Sequence, residues 1–202
     1  MRAKTMKKGF FLVAIAVSVL CACGPSVQRL GVNTVVDLNG RWNDTDARLT
    51  AEKMISDCLS RPWLSNFQQK NSREPVVIVG DIYNKSFEHI NTDIFIQDIE
   101  SEFINSGKVK FVASDKQRQQ LRQERLSQDV NASAATRKAM GKELGADYML
   151  EGTLDAIKTQ EGGREVMYYQ VNLQLINIET NDIAWIGQKK IKKYISRPGW
   201  TL

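Results

Sequence analysis

Two kinds of apolar spacing divide this chain. Val76-Val77-Ile78-Val79 is an unbroken apolar run opened by Pro75. It predicts a strand over residues 75–83 that is buried on both faces, as in a sheet interior. Phe95, Ile96, Ile99, Phe103 and Ile104 instead recur at helical spacing and predict a helix over 92–106, closed by Gly107. Val109-Lys110-Phe111-Val112 gives a second, short strand. Strand, helix and strand at this length form a βαβ unit, with parallel strands and a right-handed connection. Farther on, Met167, Tyr169, Val171, Leu173 and Leu175 alternate with Tyr168, Gln170, Asn172 and Gln174. A period of two predicts a long strand over 166–178 with only one face in the core. Glu161-Gly162-Gly163-Arg164 is a hairpin signal that joins it to a strand over 147–159. Glu179 to Asp182 turns the chain into a last strand over 183–195.

Helices fill the rest. One begins at about Asp44, capped by Asn43 or Asp44, with Leu49, Met54, Ile55 and Leu59 as its apolar face. Pro62 ends it or opens a short second helix carrying Trp63, Leu64 and Phe67. Ser114 precedes a very polar helix over 116–128, and another is expected over 134–144. The expected fold is α/β: a mixed sheet with a parallel βαβ start, a helical insert and a C-terminal antiparallel three-strand meander. One domain spans residues 44–195, between an arm over 23–43 and a loose tail over 196–202. Val32, Val35, Val36 and Leu38 suggest that part of the arm packs, and Trp42 is placed to pin it to the domain.

The amino terminus departs from all of this. Arg2, Lys4, Lys7 and Lys8 precede an apolar run from Phe10 to Leu20 that ends in Leu20-Cys21-Ala22-Cys23. Basic start, short apolar stretch and small residues are the layout of a bacterial export signal over residues 1–22. The run is about half of the roughly 20 residues a spanning helix needs. Its ending resembles the lipobox of bacterial lipoproteins, in which a cysteine becomes the acylated first residue. The residue so assigned is Cys23, because cleavage there leaves small Ala22 before the cut, whereas cleavage before Cys21 leaves bulky Leu20.

That assignment changes the bulk chemistry. The net charge of +5 rests on 28 basic residues, four of which lie in residues 1–22 with no acid beside them. What remains carries 24 bases against 23 acids, which gives no reason to expect a nucleic-acid partner. With Cys23 acylated, Cys58 is left alone and is expected to be a small buried residue rather than half of a disulfide.

Catalytic constellations are missing. The sequence holds no glycine-rich phosphate loop. It has one histidine, His89, too few with Cys58 for a zinc site of the usual kind. A Cys58–His89 nucleophilic pair would need a mid-helix thiol to meet a turn residue, so His89 is read as helping to form or cap the turn with Glu88 and Asn91. Asp98, Glu100 and Glu102 read as a solvated helix face. Arg118, Arg122 and Arg125 among glutamines likewise read as a solvated helix, or at most as a face for an acidic protein surface. Lys189, Lys190, Lys192 and Lys193 on the last strand are the residues that commonly guard a sheet edge, with docking of a partner or of an anionic surface as the alternative reading.

Several runs together resemble one family. They are Asp37-Leu38-Asn39-Gly40-Arg41-Trp42-Asn43-Asp44-Thr45-Asp46, Pro75 to Gly80 with Asn84-Lys85-Ser86 and Glu88-His89-Ile90, and Ile104-Asn105-Ser106-Gly107-Lys108-Val109. Glu143 to Tyr148, Gln160 to Gly163, Ile176 to Thr180 and Trp185-Ile186-Gly187 follow. In order and spacing, over roughly residues 37–195, they resemble the LpoB-type lipoproteins, activators of penicillin-binding proteins. The resemblance implies an outer-membrane lipoprotein facing the periplasm, held by fatty acyl chains (palmitate among them) on Cys23. It implies no reaction of its own, no cofactor and no small-molecule substrate. Its partner would be a bifunctional penicillin-binding protein whose glycan polymerisation and peptide cross-linking it raises. Tyr168, Gln170, Asn172 and Gln174, opposite the core, are the candidate partner-binding residues. The arm is shorter than the Pro-rich tether of familiar members: Cys23 to Asp37 reaches at most roughly 50 Å. Gly24 lacks the acid that, in that family, retains lipoproteins at the inner membrane. A second resemblance, to curli-type secretion lipoproteins, is the alternative.

Overall fold

The computed structural model describes residues 27–113, 115–131 and 145–196. The chain divides into two compact units, Met1–Val35 and Val36–Leu202. In the first, the described residues contain one turn, closed by Thr34 N–H donating to the Gly31 carbonyl at 2.9 Å. The rest of this section concerns the second unit.

Helix α1 spans Asp44–Leu59. Asn43 and Asp46 cap it reciprocally: Asp46 N–H donates to Asn43 Oδ1 at 3.0 Å and Asn43 N–H to Asp46 Oδ2 at 3.1 Å. Such a box satisfies two otherwise orphaned donors. The buried stripe of α1 is Ala47, Ala51, Met54, Ile55, Cys58 and Leu59. Leu49, expected on that face, is 45% exposed; small alanines, not the leucine, let α1 approach its neighbours. Helix α2 spans Pro62–Asn71, with Pro62 in its first turn. Trp63 Nε1 donates to the Cys58 carbonyl at 2.7 Å, which fixes the corner between the two helices. Cys58 is fully buried, as expected, and burial pushes its thiol up to about 12.

Strand β1 spans Val76–Asn84, helix α3 Thr92–Ser106, strand β2 Lys110–Phe111 and helix α4 Asp115–Asn131. Strands β3 (Tyr148–Glu161), β4 (Arg164–Asn177) and β5 (Ile183–Ser196) follow. The helix expected over 134–144 and the tail from 197 lie outside the described residues. The sheet order is β2-β1-β3-β4-β5. Strand β1 is parallel to β2 and β3, and β3, β4 and β5 form an antiparallel meander. Gly162 and Gly163 both lie at positive φ, 53° and 74°. A two-residue turn of that kind matches the twist of the strands it joins. It sets Glu161 opposite Arg164 and with that all 14 pairs between β3 and β4.

The core lies on one face of this sheet. Phe95, Ile99 and Phe103 of α3 pack against Ala51, Met54 and Ile55 of α1 and against Leu150, Leu154, Met167, Tyr169, Val171, Leu173 and Leu175 of the sheet. Fully burying side chains of this size contributes about 1.5–3 kcal/mol each. Ile104 of α3 is 55% exposed, so the buried stripe of that helix is narrower than its periodicity suggested.

Several motifs named above turn out to build the fold. Trp185 lies over Gly187: a Cβ there would meet the indole at 2.1 Å. The indole Nε1 then donates to Asp57 of α1 at 2.9 Å. Asp147 ties the starts of β1 and β3 together, accepting from Val76 N–H at 2.8 Å and holding Arg73 through two 2.7 Å contacts. Burial works to raise the Asp147 carboxyl, but the Arg73 guanidinium and the Val76 N–H outweigh it and hold the group below the usual range.

Candidate interaction surface

The alternation in β4 separates two chemistries on one strand. Met167, Tyr169, Val171, Leu173 and Leu175 are at most 1% exposed. Tyr168, Gln170, Asn172 and Gln174 point away from that core and are half-buried. The four expected contact residues therefore share one face, and the sheet register surrounds them. Thr153 and Asp155 of β3 pair with Asn172 and Gln170, and Gln188, Lys190 and Lys192 of β5 pair with Asn172, Gln170 and Tyr168.

These side chains are wired to one another. Tyr168 Oη donates to Gln170 Oε1, and Gln170 Nε2 to Asn172 Oδ1, both at 3.0 Å. Gln188 Nε2 donates to the same Asn172 oxygen at 2.9 Å. Asn172 Nδ2 turns to Asp155 Oδ2 at 3.3 Å, where Thr153 Oγ1 also donates at 2.9 Å. Gln174 Nε2 donates to Glu151 Oε1 at 2.7 Å. The network holds amide and hydroxyl groups in fixed directions. Ile157, Ile186, Tyr83 and Tyr194 are each at least 60% exposed on or beside this face. Exposed tyrosines beside oriented polar groups are a composition enriched in protein interfaces.

The arm is pinned by a second cluster, on the core side. Trp42 packs edge-on against Phe95 and Tyr169, with centroids 6.1 and 5.6 Å away. Its N–H donates to Tyr169 Oη at 3.0 Å, and that hydroxyl donates to Glu88 Oε2 at 2.7 Å. Burial, followed by the Glu88 carboxylate, raises the Tyr169 phenol well above its ordinary value. Lys193 Nζ meets Asp46 Oδ2 at 2.6 Å, Asp37 Oδ1 at 2.7 Å and the Arg41 carbonyl at 3.0 Å. Gly40 lies at φ 68° directly on Ile195, where a Cβ would clash at 2.3 Å. Trp42 thus does what the sequence suggested, and Val36 is half-buried. Val32 and Val35 are 83% and 63% exposed and Leu38 is 92% exposed. From Asp37 to Trp42 the attachment combines the Asp37 and Arg41 contacts to Lys193, Gly40 on Ile195, and Trp42 against Phe95 and Tyr169.

His89 lines a cleft of about 310 Å³ with Arg41, Trp42, Asn43, Ile90 and Ile94. It is exposed, and among the described residues its side chain makes no hydrogen bond. The turn is built instead by Asn84, whose Oδ1 accepts from Ser86 N–H at 2.9 Å and whose Nδ2 donates to the Glu88 carbonyl at 2.7 Å. Asn91 caps α3. His89 and the fully buried Cys58 are not brought together. Among the described residues no group of three His, Cys, Asp or Glu side chains could hold a metal ion. No helix among them is long and apolar enough to cross a membrane. Cys23 lies outside the described residues.

Comparison with known proteins bears on the chain as a whole. The LpoB C-terminal domain from Escherichia coli is 15% identical, over 73% of this chain and 99% of that one, with a TM-score of 0.43. The NMR structure of E. coli LpoB gives 15% identity over 86% and 85%, with a TM-score of 0.41. The LpoB C-terminal domain from Salmonella enterica gives 16% over 67% and 94%, with a TM-score of 0.32. No curated protein sequence matches significantly. The family model of the peptidoglycan-synthase activator LpoB matches residues 46–191, more than half of the 202-residue chain and the whole sheet up to the middle of β5. The chain belongs to the LpoB family of peptidoglycan-synthase activators.

Proposed function

We propose that this chain is a non-enzymatic lipoprotein that binds and activates a bifunctional penicillin-binding protein. The family match over residues 46–191 is the observation that carries this. It favours an activator over a secretion lipoprotein, because the matching model is the activator's. Tyr168, Gln170, Asn172 and Gln174 are the proposed contact residues, supported by their common face and by the hydrogen bonds that orient them, to one another for the first three and to Glu151 for Gln174. Cys23 is the proposed acylated residue after removal of residues 1–22, anchoring the protein to the outer membrane with the domain in the periplasm. Residues 23–43 are its arm and 44–195 its working domain.

Activation of this kind is linkage. The chain raises synthase turnover only by binding the active conformation more tightly than the resting one. A tenfold shift in that equilibrium needs a differential affinity of about 1.4 kcal/mol. The test adds the purified chain to a bifunctional synthase from the same organism with lipid II as substrate. Faster glycan polymerisation and cross-linking are expected with the chain present, and no turnover of lipid II or cell wall by the chain alone. Unchanged synthase rates at saturating chain would refute the proposal. Cys23→Ala is expected to move the protein from the membrane to the soluble envelope fraction.

A further inference from the structure

Strand β5 is an edge of the sheet, 14 residues long. Which of its backbone groups face outward follows from the hairpin. The two-residue turn makes Glu161 and Arg164 a hydrogen-bonded pair, and backbone groups alternate sides along a strand. Even-numbered residues of β4 therefore bond to β3 and odd-numbered ones to β5. The Asn177 N–H, which donates to the Asp182 carbonyl at 2.8 Å, fits that parity. Tyr169 and Val171 pair with Ile191 and Lys189, so those β5 residues bond inward. Gln188, Lys190 and Lys192 turn their N–H and C=O groups outward. From Ile186 to Lys192 the register with β4 runs without a bulge, and no proline interrupts it.

The side chains of this stretch are those of a charged, open edge. Lys190 and Lys192 are exposed on the face that carries Tyr168 and Gln170, and Lys189 is half-buried on the other. Among the described residues none of the three has an ion-pair partner, whereas Lys193 next to them is held by Asp37 and Asp46. Lysines on an edge repel a like strand. A second copy of β5 laid antiparallel would set lysine against lysine. The same charges attract an acidic strand, and the backbone is ready to pair with it.

We propose that the Ile186–Lys192 edge of β5 receives an extended acidic segment of a partner protein by strand addition. In an antiparallel strand, residues two apart face Lys190 and Lys192, so the segment carries acids at alternate positions. The residue between them turns to the side of half-buried Ile191 and is apolar. Main-chain bonds supply affinity in such a mode and the alternate side chains supply selectivity. The added strand would lengthen the face that bears Tyr168 to Gln174. The inference rests on the parity and charge of β5 and holds whatever the identity of the partner.

A blocked eight-residue peptide alternating aspartate and valine is the probe, titrated against the full chain in detergent. Saturable binding is expected. Methylating the peptide nitrogens on its one hydrogen-bonding edge is expected to weaken binding at least about tenfold, as is Lys190→Glu with Lys192→Glu. That double variant should in turn bind the lysine–valine peptide, which the unaltered chain should not. Absence of binding at about 1 mM peptide would overturn the proposal. Equal binding of the methylated peptide would overturn it too, since simple charge attraction needs no main-chain pairing. The methylated probe acts on the unaltered protein, so this result does not depend on how the variant folds.

Discussion

The two faces of β4 are made by neighbouring residues of one strand and obey different physics. On one, Met167, Tyr169, Val171, Leu173 and Leu175 are sealed under α1 and α3. On the other, Tyr168, Gln170 and Asn172 bond to one another, Gln174 bonds to Glu151, and all four stay half open. Removing atoms from the first face leaves a void that the packed helices cannot fill. Removing them from the second changes a half-open polar surface and leaves the core packing alone. The difference sets a packed face against a hydrogen-bonded, half-open one across the thickness of a single sheet.

That separation can be broken or sharpened by measurement. Leu173→Ala is expected to cost about 3–4 kcal/mol in denaturant unfolding, by lost burial plus a residual cavity. Lys193→Met strands Asp46 and Asp37 against the arm. Partial solvent access at Asp37 lowers the cost below that of a fully buried pair, to about 2 kcal/mol. Tyr169→Phe keeps the ring but leaves Glu88, 8% exposed, without its hydroxyl donor; about 1–2 kcal/mol should be lost in thermal unfolding. Asp147→Asn should lower stability at neutral pH by an amount that shrinks as the pH falls. The depressed Asp147 carboxyl contributes stability that is fully present above the unfolded value, about 4, and is lost as pH falls through the folded one. The variant's acid limb should therefore be flatter than that of the unaltered chain. Gln170→Ala should change stability by less than about 1 kcal/mol, while lowering synthase activation if this face is the contact surface. A Gln170→Ala variant as unstable as Leu173→Ala would erase the distinction between the faces.

Much of the architecture was legible in the chain because the periods were clean. Alternation from Met167 to Leu175 gave β4 and its two faces, and Gly162-Gly163 gave the turn that sets the register. Helix α1 was placed correctly but its buried stripe was not, since a search for large apolar residues passes over Ala47 and Ala51 and stops at Leu49. The attachment of the arm was half legible. An aromatic residue such as Trp42 signals packing, but Lys193 lies 147 positions from Asp46 and looked like one more edge lysine. Nothing in local sequence says which of four neighbouring cations has found its acids. The cross-strand hydrogen bonds of Asn172 and Gln174 were hidden for a related reason: alternation fixes the side of the sheet, whereas Asp155, Glu151 and Gln188 come from β3 and β5. His89 drew notice as the sole histidine, yet the turn beside it is organised by Asn84.

The Lys193 cluster has a mechanical consequence. Any pull travelling down the chain from its amino-terminal side reaches Asp37 before it reaches α1. There it is divided between a lysine rooted in β5 and a tryptophan wedged against α3 and β4. The leash of an anchored protein would thus end at residue 37, and tension on it would be borne by the sheet before it could unwind the first helix.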